Sequence, residues 1–187
     1  MLVRDILEHN SFNSTVRQAL NADCSTFLRE SQGLPLFRQL PTTYADFHRV
    51  KVRLQKRKDG VSDVFERAFG QEYTNLRQRA VFASATLPAV TEQTEPFYVF
   101  PTNGYRFLYS KEVTNSNSDY RNVIDKLVSE LGNLNEATEI VTDLLKYTYS
   151  TSKLYEGMAS GAEVIFYGIP YYYAVRANVC EYEDLVS

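Results

Sequence analysis

The chain contains no tryptophan, and only two cysteines and two histidines occur among its 187 residues. Cys24 and Cys180 form no Cys-x-x-Cys pair, so the sequence favours a reducing compartment over a disulfide-stabilised secreted fold. His9 and His48 are too isolated to build a metal cluster, and we expect no metal. No run approaches the ~18 apolar residues of a spanning helix, so we expect no membrane association.

Tyrosine and phenylalanine are abundant, at 14 and 11 residues. The hydrophobic content of 44% and the charged content of 23% are those of a globular protein. The length fits one structural domain, in which we expect an N-terminal helical segment, residues 1–33, packed on a core formed by residues 34–187. A net charge of −3 argues against nucleic-acid binding through bulk electrostatic attraction.

Apolar periodicity predicts an α+β fold. Period-2 and β-rich runs indicate strands, and apolar stripes with capping residues indicate helices. Asn103-Gly104 between two aromatic runs predicts a β-hairpin of residues 97–101 and 105–109. The predicted helices cover residues 2–8, 14–30, 62–69, 119–131 and a stretch from 135; the other predicted strands cover 34–38, 47–54 and 80–86, with two more from Glu163 onward.

One strand carries most of the basic charge. Residues 47–54 alternate apolar and basic side chains, and the basic residues continue just beyond the strand. A solvated strand face explains this pattern, and so does a landing surface for phosphate or for an acidic partner. The basic strip, as we call it, consists of Arg49, Lys51, Arg53 and Arg57.

Four side chains at the ends of three predicted strands are candidates for chemistry. Arg38 ends the first predicted strand, and Ser84 and Thr86 end the strand formed by residues 80–86. Glu163 begins the strand Glu163-Val164-Ile165-Phe166-Tyr167. A carboxylate is a costly choice inside a core strand, so we expect Glu163 at an edge, a cap or a site.

The order of these elements resembles that of ADP-ribosyltransferases, and a set of short motifs brings the chain closest to a group of phage-encoded relatives of those enzymes. The resemblance covers about residues 20–175. It is carried by the order of Cys24-Ser25-x-Phe27-Leu28, Pro35-Leu36-Phe37-Arg38, Val52-Arg53-x-x-x-Arg57, Phe69-Gly70, Val81-Phe82-Ala83, Val99-Phe100-Pro101, Glu163-Val164-Ile165 and Tyr172-Tyr173.

The resemblance implies a split β-sheet core under a helical cover, with NAD as substrate. It implies that Arg38 grips the dinucleotide, that Ser84 braces the cofactor pocket with Thr86 beside it, and that Glu163 is the catalytic carboxylate. Aromatic residues of the predicted hairpin are candidates to stack on nicotinamide, Tyr98 and Tyr109 among them.

The chain departs from the family pattern at several positions. Gly161 stands where arginine-modifying members carry a second acidic residue, so arginine is not the expected acceptor. Ala83-Ser84-Ala85 keeps one hydroxyl of the Ser-Thr-Ser segment. Ser150-Thr151-Ser152 spells that triplet at the end of a predicted helix, and Glu181-Tyr182-Glu183 spells the paired-acid motif with no strand after it.

Two functions follow as expectations. The first is a phage-type ADP-ribosyltransferase in the host cytoplasm, with a host protein or nucleic acid as acceptor. The second is a catalytically inactive protein on the same scaffold that interacts with the host or belongs to the virion, contacting a phage structural protein or another partner through the basic strip. A third, weaker hypothesis is an inhibitor of host defence that sequesters a nucleotide.

Overall fold

A computed structural model describes residues 3–52, 60–69 and 79–187 of the chain. Within these ranges it contains helices and strands in an α+β arrangement. The helices are α1 Val3–Asp23, α2 Ser25–Ser31, α3 Gly60–Phe69, α4 Ser116–Leu131, α5 Leu134–Thr148, α6 Leu154–Ala159 and α7 Tyr182–Val186. The strands are β1 Phe37–Pro41, β2 Phe47–Lys51, β3 Val81–Ser84, β4 Thr94–Pro101, β5 Arg106–Tyr109, β6 Glu163–Tyr167 and β7 Tyr171–Arg176.

The described strands form one sheet in the order β2-β7-β4-β1-β3-β6-β5, and every neighbouring pair is antiparallel. The expected α+β class is confirmed at this level. Strand β1 pairs with β4 along its whole length, but it meets β3 at a single register pair, Phe37 with Ser84. The sheet therefore consists of two halves joined at a narrow seam between β1 and β3.

The helices cover the sheet in two groups, which explains why the β6 sequence is apolar without alternation. Val164 and Phe166 of β6 are buried in a cluster that includes Leu20 and Phe27 of the N-terminal helices. Ile165 and Tyr167 face a second cluster, built from α3, α4 and α5. Since both faces of β6 are covered, only its first residue, Glu163, is left half-buried at the mouth of the strand.

The predicted β-hairpin is wrong. Strand β4 pairs with β1 and β7, whereas β5 pairs with β6 in the other half of the sheet. Asn103 instead ties the connection to the N-terminal helices: its N–H donates to the Asp23 carbonyl at 2.6 Å, and its side chain accepts from the Thr26 N–H at 2.9 Å. The turn at Gly104, with φ of +88°, therefore carries the chain from one half to the other.

The N-terminal prediction of two helices broken near residue 10 is also wrong. Helix α1 is continuous to Asp23, and the break lies at Cys24. Packing explains the continuity, because Phe12 contacts the core and Val16 is fully buried, so tertiary contacts outweigh the weak helix propensity of residues 9–13. None of the described helices is both long and apolar enough to cross a membrane.

Candidate active site

Three neighbouring strands place their residues in one row at the seam. Phe37 of β1 lies opposite Ser84 of β3, and Ser84 lies opposite Glu163 of β6. Ser84 and Glu163, which are directly opposed in the regular β3–β6 ladder, project to the same face of the sheet. Because neighbouring strands lie about 4.8 Å apart, β1 and β6 are about 10 Å apart at this level. Arg38 follows Phe37 directly, so it belongs to the same end of the sheet.

A cavity of about 520 Å³ opens at this row. Four of the residues singled out in the sequence line it: Arg38, Ser84, Thr86 and Glu163. Its volume lies in the range of small-molecule and cofactor sites. The other described residues that line it are Phe37, Gln39, Ser62, Phe82, Ala83, Pro88, Thr114, Asn115 and Asn117.

Glu163 is held by its main chain and by its side chain. Its N–H donates to the Val113 carbonyl at 3.0 Å. Its Oε1 accepts from the Ser116 N–H, also at 3.0 Å, and Ser116 is the first residue of α4. The half-buried carboxylate is therefore held at one oxygen by a backbone N–H at the N-terminus of α4.

Arg38 spans the seam and lies between two cavities. Its Nη1 donates to the Phe82 carbonyl of β3 at 3.3 Å. Besides the main cavity, Arg38 lines a smaller one of about 210 Å³ together with Tyr44, His48 and Tyr172. The guanidinium can therefore address a ligand that extends from one cavity into the other.

Ser84 shapes the cavity wall through a local turn. Its Oγ accepts a hydrogen bond from the Thr86 N–H at 3.1 Å, so the chain turns away from β3 immediately after the strand ends. This turn places the side chains of Ser84 and Thr86 in the same wall.

Tyr98 and Tyr109 lie in the core, and neither lines the cavity. Tyr98 is 7% exposed and packs with its ring 5.2 Å from that of Tyr182. Tyr109 is 3% exposed and lies directly beneath Gly157. The described aromatic rings that do line the cavity are Phe37 and Phe82, from β1 and β3.

The two motifs that also match the family pattern, Ser150-Thr151-Ser152 and Glu181-Tyr182-Glu183, lie outside this cavity. Thr151 and Ser152 line a separate cavity of about 530 Å³ between α2 and α6. Glu181 precedes the short helix α7, whose Tyr182 is 3% exposed in the core. Neither motif contributes a residue to the described lining of the cavity at Glu163.

The part of the basic strip that the structure describes lies on β2, at the edge of the sheet. Arg49 and Lys51 are exposed there, and the Arg49 guanidinium lies 3.4 Å from the centre of the Tyr171 ring. Arg53 and Arg57 fall outside the described residues.

Sequence reasoning missed the segment that leads into α4. Thr114, Asn115 and Asn117 line the cavity, and Ser116 binds Glu163. The available signal was Asn115, a favoured N-cap residue whose side chain accepts from the N–H groups of Asn117 and Ser118. Nothing in the sequence connects that cap to Glu163.

No protein-family model matches the chain, and neither a curated protein nor a solved structure matches it. Within the described residues, no group of three or more His, Cys, Asp or Glu side chains is placed to hold a metal ion. A functional assignment therefore depends on the side chains of the cavity at the seam.

Proposed function

We propose that the protein is a phage-type ADP-ribosyltransferase that transfers ADP-ribose from NAD to a host macromolecule. One observation supports the proposal above all others: Arg38, Ser84 and Glu163, far apart in the sequence and on three strands, line one cavity. The resemblance implies this set of residue types for NAD. The antiparallel sheet with a seam beside β1 is compatible with a split-sheet fold of that family.

The shape of the site suits a dinucleotide. NAD consists of two nucleosides joined by a diphosphate, and Arg38 lies between two cavities. A planar guanidinium binds phosphate oxygens in bidentate fashion. We assign the cavity at Glu163 to the nicotinamide ribose, because the carboxylate lies there.

The proposed reaction breaks the bond between nicotinamide and C1 of the ribose. Nicotinamide leaves as a neutral molecule, a nucleophile of the acceptor bonds to C1, and the acceptor's proton is released. Positive charge develops on the ribose in the transition state, as in glycoside cleavage. The Glu163 carboxylate stabilises that charge and accepts a hydrogen bond from a ribose hydroxyl.

The backbone conformation of Gly161 helps to identify the group that accepts ADP-ribose. Gly161 has φ of +77°, a left-handed conformation that a side chain strains. The position two residues before Glu163 therefore disfavours an acidic side chain, which arginine-modifying relatives carry there. We propose an acceptor group other than arginine.

Labelled NAD, purified protein and host lysate test the proposal. We expect transfer by the wild type and by Glu181→Gln, and a loss of transfer of about a hundredfold or more in Glu163→Gln, since a transition-state charge contact is removed. Full transfer by Glu163→Gln removes this residue from the catalytic role. No NAD turnover, together with binding to a capsid or tail component, would favour the inactive, virion-associated alternative.

A further inference from the structure

The N-terminal turn of α4 has an unusual distribution of hydrogen bonds. The first N–H groups of any helix lack partners within the helix. Here the Asn115 side chain accepts from the N–H groups of Asn117 and Ser118, and the Asn115 N–H donates to Asp119 Oδ2 at 3.1 Å. Local capping thus serves three of these donors.

The fourth donor is the Ser116 N–H, and it is bound by a residue 47 positions away. It donates to Glu163 Oε1 at 3.0 Å. Ser116 is fully buried, so water does not compete for this contact. The hydrogen bond from the Glu163 N–H to the Val113 carbonyl fixes the same two segments to each other. The carboxylate is consequently held at one oxygen by rigid backbone.

We infer that Ser116 is a positioning residue, whose backbone N–H at the start of α4 orients the Glu163 carboxylate toward the ribose of NAD. This inference rests on the proposed function for its effect on catalysis. A carboxylate fixed by backbone needs no rearrangement as charge develops on the substrate. Ser116 acts through Glu163, so it touches neither the substrate nor the reacting atoms.

Among the described residues, one charged side chain besides Glu163 lines the cavity. The other charged side chain in the described cavity lining is Arg38, on β1. Asp119 of α4 is engaged by the Asn115 N–H and by the Ser118 hydroxyl at 3.2 Å. The Ser116 N–H donates directly to Glu163 Oε1.

Proline at residue 116 removes this donor and suits the local backbone. Residue 116 is the first of α4, a position that proline favours, and Asn115 before it is extended (φ −149°, ψ 96°), outside the α region that a following proline disfavours. Leu134→Pro is the matched control: Leu134 is exposed and begins α5 after Asn133, which caps α5 as Asn115 caps α4. Ser116→Ala removes the hydroxyl and keeps the N–H.

Steady-state NAD turnover separates these variants. For Ser116→Pro we expect kcat to fall by about ten- to a hundredfold, the rate equivalent of one hydrogen bond to a charged group. We expect KM for NAD to change by less than about threefold, because Arg38 is untouched. Leu134→Pro retains wild-type kinetics, and Ser116→Ala stays well above Ser116→Pro. A wild-type kcat in folded Ser116→Pro, or an equal loss in Leu134→Pro, overturns the inference.

Two further measurements keep the test decisive. If Ser116→Pro does not fold, as judged by circular dichroism, an amide-to-ester replacement at residue 116 removes the same N–H without a ring. Independently of activity, the amide proton resonance of Ser116 is expected to move upfield in Glu163→Gln, because a neutral acceptor binds more weakly, and to stay in place in Glu181→Gln. An unmoved resonance refutes the contact.

If the wild type does not turn over NAD, the proposed function fails, and this resonance alone decides whether α4 holds Glu163.

Discussion

The Arg38 guanidinium donates a hydrogen bond to the Phe82 carbonyl across the seam where β1 and β3 share a single register pair. One side chain therefore links the two halves of the sheet and lines the cavity that carries Glu163. Under the proposed function, Arg38 contributes both to the stability of the fold and to NAD binding, and experiments can separate the two contributions.

For Arg38→Lys we expect NAD affinity to fall by about tenfold or more, because an ammonium cannot reproduce the bidentate grip of a guanidinium on phosphate. The free energy of unfolding should fall by no more than about 2 kcal/mol, the contribution of one hydrogen bond from a charged donor. Isothermal titration calorimetry with NAD measures the first effect, and urea denaturation measures the second.

Arg49→Lys is the control for Arg38. Arg49 is an exposed arginine on the edge strand β2, outside the described cavity lining, and NAD affinity should be unchanged. An equal loss of affinity in both variants would mean that the loss does not depend on the position of Arg38.

Arg176 of β7 lies in the same half of the sheet as Arg38 and is surrounded by hydrogen-bond acceptors. Its side chain is 12% exposed, and its guanidinium donates to Asp46 at 2.7 Å, to Glu95 at 2.6 Å and to the carbonyls of Thr42 and Tyr44. Arg176→Lys should lower the free energy of unfolding by about 2–4 kcal/mol, because lysine leaves several of these acceptors unpaired. Urea denaturation followed by circular dichroism measures the loss.

The matched comparison is the exposed pair of Lys146 with Asp143 on α5, at 3.0 Å. Lys146→Gln should cost less than about 1 kcal/mol, since solvent screens the pair. Similar losses in both variants would show that burial does not set the strength of the Arg176 network.

How far the sequence predicts this site depends on which contacts are local. The strand that begins at Glu163 and the strand that ends at Ser84 follow from their β-rich residues and small terminal residues, and both strands exist. Their direct opposition is a matter of register between segments far apart in the chain, and periodicity carries no information on it. The expectation that Arg38, Ser84 and Glu163 lie together came from the resemblance, and local periodicity gives no basis for it.

The two wrong predictions, the β-hairpin and the break in the N-terminal helix, also failed because distant contacts decide the local structure. Asn103-Gly104 has the composition of a hairpin turn, but Asn103 is bonded to Asp23 and Thr26 of the N-terminal helices, and those distant contacts decide where the next strand goes. Residues 9–13 are weak helix formers, yet they are helical because the core covers one side of α1. In both places tertiary contacts outweigh local propensity.

Gly157 of α6 has no room for a side chain. A Cβ at this position would lie 2.5 Å from Cγ of the buried Tyr109 ring. Gly157→Ala should therefore lower the free energy of unfolding by about 1–3 kcal/mol through overpacking, despite the better helix propensity of alanine. Gly60→Ala, where a Cβ would meet nothing within 4 Å, should be neutral or slightly stabilising. Thermal denaturation compares the stability of the two variants. Equal changes in stability would mean that the Tyr109 ring moves to make room for the Cβ at residue 157.

The environment of Tyr173 predicts that the protein loses stability at alkaline pH. Its hydroxyl donates to Asp23 Oδ2 at 2.6 Å, and the ring is 8% exposed. Burial, followed by the hydrogen bond and the negative charge of Asp23, raises the pKa of Tyr173 from 10.0 to about 12. Between these values the unfolded chain releases a proton that the folded protein retains. The stabilisation is thus complete below pH 10 and is lost as the pH rises toward about 12.

Tyr173→Phe removes both the hydrogen bond and this titration. We expect the wild type to be the more stable chain at about pH 9, by the 0.5–3 kcal/mol typical of a hydrogen bond to a charged group, and its advantage to shrink as the pH approaches 12. Burial also raises the pKa values of Tyr105 and Tyr182, but these residues are present in both chains and cancel in the difference. Tyr147→Phe, at an 88% exposed ring, is the control and should leave the pH dependence unaltered. Urea denaturation at several pH values measures the difference, and a gap between wild type and Tyr173→Phe that stays constant over this range would show that the folded protein does not hold the Tyr173 proton against Asp23.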